Sequence, residues 1–158
     1  MGGMTSRSVV VERRIAAGQG LVWEALTDPG GMEHVLSSVS NVEVLTDGDF
    51  GVGTRWRETR RMFGKDTTEE MWVTASEPPA RYVVEAESHG THYVSEWQLQ
   101  AEGPSATTVR MTFTATAHGG GITGLLAKVM GGVGSRVVSK AIARDLDEVA
   151  AAIEARRG

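Results

Sequence analysis

Residues 81–117 read RYVVEAES (81–88), HGT (89–91), HYVSEWQLQA (92–101), EGPSA (102–106) and TTVRMTFTATA (107–117), and they decide the fold. In the first run Tyr82, Val84, Ala86 and Ser88 fall at alternate positions; Tyr93, Ser95, Trp97 and Leu99 do so in the second, and Val109, Met111, Phe113 and Ala115 in the third. Side chains on a strand point to opposite faces in turn, so alternation of this kind marks a half-buried strand. The separators His89-Gly90-Thr91 and Glu102-Gly103-Pro104 are short and built from turn residues. Connections this short join antiparallel neighbours, so Arg81–Ser88, His92–Ala101 and Thr107–Ala117 are expected as successive hairpin strands.

The same pattern extends toward the N-terminus. Asn41–Leu45, Gly53–Phe63 and Thr67–Ser76 read as three more strands, parted by Asp47-Gly48-Asp49, Gly64-Lys65-Asp66 and Glu77-Pro78-Pro79. Before them Ser8–Ile15, rich in β-branched residues, reads as a first strand. Gln19–Thr27 changes to helical spacing around Trp23, Asp28-Pro29-Gly30-Gly31 is expected to stop that helix, and Met32–Leu36 allows a second short helical piece. Beyond Gly119-Gly120-Gly121 an apolar stripe runs from Ile122 through Leu126, Met130, Val138, Ile142, Leu146 and Val149 to Ile153, spaced as one face of a helix. About 35 residues of helix would be ~50 Å long at the usual rise. Gly131, Gly132 and Gly134 interrupt it and predict a kink.

A hairpin sheet cannot bury its inner face alone, and the long amphipathic helix is the obvious cover. The expected class is therefore α+β: a helix-grip fold, with a curved antiparallel sheet wrapped around a C-terminal helix and two short helices after the first strand. A twisted sheet around one helix tends to leave a gap, and such gaps take ligands. The chain, 1–158, reads as one ligand-binding domain with residues 1–6 flexible.

Composition removes several function classes. There is no cysteine, hence no disulfide and no thiolate chemistry. A formal net charge of −4 with no basic block argues against nucleic acid as a partner. No apolar run suits a membrane span, so stable membrane insertion is not expected. The N-terminal residues lack a secretory core, and a cytoplasmic monomer or homodimer is the expectation.

Alternation also assigns candidate pocket residues. Trp56, Glu58, Arg60 and Met62 share one face of their strand, against the charged set Arg55, Arg57 and Arg61. Glu69, Met71, Val73 and Ala75 form the apolar set of the next, with Trp72 on the other face as a hint of self-association. Tyr82, Val84, Ser88, Tyr93, Ser95, Trp97, Met111 and Phe113 follow from the later strands, and Leu126, Met130 and Val133 from the helix. This mostly apolar interior with a few polar groups suits an amphiphile, whose few polar atoms need partners.

Glu58, Glu69 and Tyr93 are the catalytic candidates. A buried carboxyl with a raised pKa serves acid–base chemistry, while the alternative is that one glutamate pairs with Arg60 and the other sits at the pocket mouth. His89 and His92 flank a turn without a third ligand, which reads as an exposed hairpin tip; no metal and no cofactor are expected. The glycine runs lack the strand–loop–helix context and the lysine of a phosphate loop.

Several segments then resemble a known family. Val22-Trp23-Glu24-Ala25-Leu26-Thr27-Asp28, Gly51-Val52-Gly53-Thr54, Val73 to Pro79 with its Glu-Pro-Pro turn, and Trp97-Gln98-Leu99 followed by Thr107-Thr108-Val109 are similar, in that order, to segments of the SRPBCC superfamily. That superfamily includes START-like lipid carriers, polyketide cyclases and coenzyme-Q-binding proteins. Ala17-Gly18-Gln19-Gly20 departs from the Ser-Pro-Glu with which many relatives start the first helix, which predicts a looser start. The resemblance implies binding or transport of a hydrophobic small molecule. It equally admits an aromatic polyketide cyclase or dehydratase, or a co-chaperone-like interaction module with a filled interior and an exposed apolar patch.

Overall fold

The computed structural model describes residues 5–62, 64–88, 90–117 and 132–157. Its β-branched first run forms strand β1 (Thr5–Ile15), followed by helices α1 (Gln19–Leu26) and α2 (Pro29–Val35). Strands β2 (Val39–Val44), β3 (Arg55–Met62), β4 (Lys65–Glu77), β5 (Arg81–Ser88), β6 (Thr91–Ala101) and β7 (Thr107–Ala117) come next, and helix α3 (Gly132–Arg157) closes the order. The strands form one seven-stranded antiparallel sheet in the order β1-β7-β6-β5-β4-β3-β2. This is the expected helix-grip architecture. Each hairpin pairs neighbours in sequence, and β1 returns to pair along its whole length with β7, from Thr5 opposite Ala117 to Ile15 opposite Thr107.

Helix α3 packs chiefly on β1 and also touches α1 and α2. Leu146, Val149, Ala150 and Ile153 are its buried side chains there, with Leu146 and Ile153 only 1% exposed. Burying one such leucine or isoleucine stabilises by roughly 1.5–3 kcal/mol. Two carboxylates fix the helix against the chain entering and leaving the short helices. Glu154 accepts from the Ala16 amide (2.9 Å) and Glu148 from the Ser37 amide (3.1 Å). Of the long helix expected from Ile122 onward, the part before Gly132, including the start of the glycine kink, lies outside the described residues.

Three local expectations are corrected. Asp28-Pro29 begins α2 rather than merely ending α1: the Asp28 carboxylate accepts from the Gly31 amide (3.1 Å) and Pro29 occupies the first turn, where its missing N–H costs nothing. Ala75 does not continue the inner face of β4. The register against β5 shifts between Val73 and Ala75, so Ala75 lies opposite Val83 on the outer face and Ser76 takes the inner position opposite Tyr82. The start of α1 has no side-chain cap at Gly18, but it is anchored in another way. Gln19 donates its side-chain N–H to the Leu99 carbonyl (2.9 Å), and Gly18 sits so close to Pro104 that a Cβ would lie 2.8 Å from its carbonyl oxygen.

His92 also departs from expectation. It is not a solvated turn residue but lies on the outer face of β6, with Nε2 2.6 Å from Glu85 and Nδ1 3.4 Å from Glu87. His89 lies outside the described residues. Trp72 meets the His92 ring edge-on at 6.3 Å and carries the Arg55 guanidinium 5.0 Å above its own ring, so its outer face is partly covered.

The hydrogen bond to Glu85 holds the His92 pKa above its ordinary 6.5, although partial burial opposes the charge. A hydrogen bond from Thr74, opposed by burial and aided by His92, holds Glu85 below its ordinary 4.5. A raised histidine contributes stability below its unfolded value and loses it as pH rises through the folded one. A lowered carboxylate contributes above its unfolded value and loses it as pH falls through the folded one. The stability difference between wild type and His92→Gln in urea titrations should therefore be largest between pH 4.5 and 6.5 and shrink on both sides. A difference independent of pH would show that the cluster acts by packing alone.

Candidate functional site

The inner face of the sheet and helix α3 enclose a cavity of about 240 Å³. Alternation turns Trp56, Glu58 and Arg60 of β3 into it, with Glu69 and Met71 of β4. Tyr82 and Val84 of β5, Tyr93, Ser95 and Trp97 of β6, and Met111 and Phe113 of β7 complete the sheet side. Sequence alternation predicts every one of these lining positions. It also predicts Ser88, which does not line the cavity: it is the last residue of β5, opposite Thr91 at the hairpin end. Leu126 and Met130, and the side chains of Met62 and Val133, lie outside the described residues.

Aromatic rings form one wall. Tyr82 stacks on Trp97 with centroids 5.6 Å apart and planes 5° from parallel. The same tyrosine meets Trp23 and Phe50 edge-on at 5.5 and 5.4 Å, and Phe50 continues the set to Trp56 at 6.5 Å. Offset stacking and edge-to-face contact satisfy the ring quadrupoles and hold the rings in one arrangement. Tyr93 stacks on Phe113 at 5.7 Å. Burial pushes the Tyr82 phenol well above its ordinary pKa. The Tyr93 phenol is also raised, first by burial and then by the Glu69 charge, against a hydrogen bond with Thr91. Both phenols are therefore neutral groups at physiological pH.

Charge gathers on β3, β4 and α3. The strand register sets Glu58 directly opposite Glu69 on the inner face. In antiparallel pairs the Cβ atoms of such partners are ~5 Å apart, and like charges there repel. Arg60 compensates from two positions further along β3. Its Nε lies 3.3 Å from Glu58 Oε2 and a terminal nitrogen 2.7 Å from Asp145 Oδ2 on α3. The three side chains are 22%, 11% and 17% exposed for Arg60, Glu58 and Asp145. Burial disfavours the guanidinium charge, but Asp145 and Glu58 outweigh it and raise the Arg60 pKa. Asp145 is also raised, because burial outweighs what Arg60 supplies.

The sequence predicts one glutamate beside Arg60, and Glu58 is that residue. Asp145 and Phe50 escape the sequence reading. Asp145 carries a signal as the residue three after Ile142 and four before Val149, within the apolar stripe; Phe50, in the loop before β3, carries no periodic signal. Leu26, Met32 and Leu36 from the short helices and Val138, Ala141 and Ile142 from α3 supply the remaining apolar cover. Among the described residues, no group of three or more His, Cys, Asp or Glu side chains is arranged to hold a metal ion. None of the described helices is long and apolar enough to cross a membrane.

Residues 6–154 match the family model described as polyketide cyclase/dehydrase and lipid transport. Among solved structures, the Zhui aromatase/cyclase from Streptomyces sp. R1128 is similar at 21% identity, with a TM-score of 0.82 over 98% of this chain and 97% of that one. A norcoclaurine synthase point mutant from Thalictrum flavum, in complex with a transition-state analogue, aligns at 15% identity with a TM-score of 0.73 over 99% of each chain. A protein from Thermus thermophilus aligns at 21% identity with a TM-score of 0.75 over 96% of this chain and 100% of that one. These likenesses establish the shared fold. Among curated proteins, none matches the sequence.

Removing Arg60 while keeping its bulk strands two buried carboxylates. Arg60→Met should cost ~3 kcal/mol near neutral pH, the scale for breaking a buried ion pair. Without the guanidinium the Asp145 pKa rises further, and a raised carboxyl loses stability as pH rises through its folded value. The deficit should therefore narrow on acidification, as read by urea titrations across the acidic range. A deficit that widens with acid would mean the cluster does not carry this charge.

Proposed function

This chain belongs to the polyketide cyclase/dehydrase and lipid transport family, within the SRPBCC/START-like superfamily, and from that premise we propose that its cavity binds a mainly apolar, ring-bearing small molecule. The observation that carries the reading is the division of the cavity into an aromatic wall around Tyr82 and Trp97 and a charged end at Glu58, Arg60 and Asp145. An apolar body gains from leaving water against the rings, and one polar group finds hydrogen-bond partners at the charged end. An apolar cavity of ~150 Å³ holds benzene, so about 240 Å³ suits a molecule of one or two rings. The cavity supports this reading over an interaction module, whose interior would be filled.

One observation favours a second reading, a cyclase or dehydratase. Glu58 and Glu69 face each other across β3 and β4, and the Glu69 charge acts on the Tyr93 phenol. In such an enzyme Glu69 would take a proton from the carbon beside a substrate carbonyl, while the Tyr93 O–H donates to the carbonyl oxygen. The enolate carbon then adds to a second carbonyl of the same molecule, whose oxygen takes the abstracted proton back from Glu69 and becomes a hydroxyl. Loss of that hydroxyl with a neighbouring proton releases water and leaves a double bond.

Native mass spectrometry of the purified protein, before and after adding aromatic ligands, tests the binding reading, which expects a 1:1 complex. Glu58→Gln should leave affinity within ~3-fold if the chain is a carrier, a change under ~1 kcal/mol. If it is an enzyme, Glu69→Gln, which removes the proposed base, should lose turnover of a poly-β-ketone by ~100-fold or more. Absence of any saturable complex with aromatic ligands would overturn both readings.

A further inference from the structure

Packing accounts for the ring of Tyr82 but not for its hydroxyl. Trp97 covers one face of the ring in parallel stacking, and Trp23 and Phe50 meet it edge-on. The residue lines the cavity and is only 3% exposed. Its phenol oxygen forms no hydrogen bond with any described residue, whereas the Tyr93 phenol has Thr91. Nor is that oxygen sealed inside protein, as an orphaned buried atom would be. With the ring enclosed by three others, the hydroxyl is the part of Tyr82 that opens to the cavity. The described residues end far from this ring: β7 continues from Met111 to Ala117 and β5 from Tyr82 to Ser88, ~20 Å further along at ~3.3 Å per residue.

A phenol is a donor first. Its oxygen shares electron density with the ring, which weakens it as an acceptor and makes its proton a better one to give than an alcohol's. Burial disfavours the phenolate, so the proton stays on the oxygen. A wholly apolar body lying against this wall strips the hydroxyl of water and returns no partner for it. A body with an oxygen at that point accepts the bond and completes the wall. We infer that Tyr82 is a specificity-determining residue of the cavity, its O–H donating to an acceptor oxygen on the ring body of the ligand, apart from any polar group held at the charged end. This rests on the pocket reading above and adds a second polar point to the ligand, read by a neutral donor on β5.

The probes are acetylnaphthalene and ethylnaphthalene, which share a two-ring body and a two-carbon arm and differ in a carbonyl or a methylene beside the ring. Binding to the full-length protein is followed by equilibrium dialysis. Tyr82→Phe removes the hydroxyl and keeps the ring. It should weaken the ketone ~5-fold or more and leave the hydrocarbon's affinity unchanged; ~5-fold corresponds to ~1 kcal/mol, the usual net worth of one hydrogen bond. In the ligand-free protein the variant's urea midpoint should equal or exceed that of the wild type, because no hydrogen bond within the protein is lost. The infrared carbonyl stretch of bound acetylnaphthalene, labelled with carbon-13, gives a reading on the wild type alone and should lie below its value in an alkane. A ketone affinity indifferent to Tyr82→Phe, a carbonyl stretch as in an alkane, or a lowered urea midpoint would each overturn the inference and leave the pocket reading standing. If neither probe binds the wild type, the pocket reading fails with it.

Discussion

A sheet of seven strands presents more inner face than one helix can cover, and the cavity follows from that mismatch. Strands ~4.8 Å apart make such a sheet roughly 30 Å wide, about three times the breadth of a helix with its side chains. Helix α3 settles on β1, beside α1 and α2, and its own Leu146, Ala150 and Ile153 are buried in the core. The inner face of β3 to β7 faces Val138, Ala141 and Ile142 across open space instead. Curling brings the far strands closer without closing the gap. The core that stabilises the fold and the cavity open to a ligand are thus two parts of one interface, divided by where the helix lies.

The ion pair from Arg60 to Asp145 crosses that gap. A guanidinium on β3 holds a carboxylate on α3, so the link between sheet and helix on the cavity side is polar, whereas on the β1 side it is apolar. Hydrophobic contact is indifferent to direction, but a paired guanidinium constrains both position and orientation. Buried ion pairs seldom stabilise more than apolar replacements would. Here the arrangement is explained better by what it displays: carboxylates at one end of a cavity whose opposite wall is locked by stacked rings.

Much of this was legible in the chain because period-two alternation is strict. Trp56, Glu58 and Arg60 had to share a face, and the charge of Arg55, Arg57 and Arg61 decided which one faced water. The same logic failed at Ala75, because a bulge adds a residue without leaving a mark in the local pattern. Asp28-Pro29 was ambiguous for a different reason: the residues that end one helix are those that cap the next. His92 was misjudged because nearness to a glycine turn suggests solvent, whereas cross-strand partners such as Glu87 and Glu85 are set by register, which sequence neighbours do not reveal. Asp145 was hidden by its surroundings, since an acidic residue among Arg144, Asp147 and Glu148 reads as part of a solvated face although its spacing places it on the apolar stripe.

These successes and failures separate what the fold requires from what a function requires. Apolar alternation, short turns and an amphipathic helix tolerate wide substitution, which is why proteins with few identical residues share this architecture. None of those requirements asks for Glu58 opposite Glu69, or for an aspartate in the apolar stripe of α3. Such residues oppose the packing that surrounds them, and a fold needing only its core would be served at least as well by leucine or methionine there. The positions least explained by stability are therefore those in which a function of this cavity is most economically sought. They lie on rigid strands and a helix rather than on loops, so their mutual geometry is set before any ligand arrives.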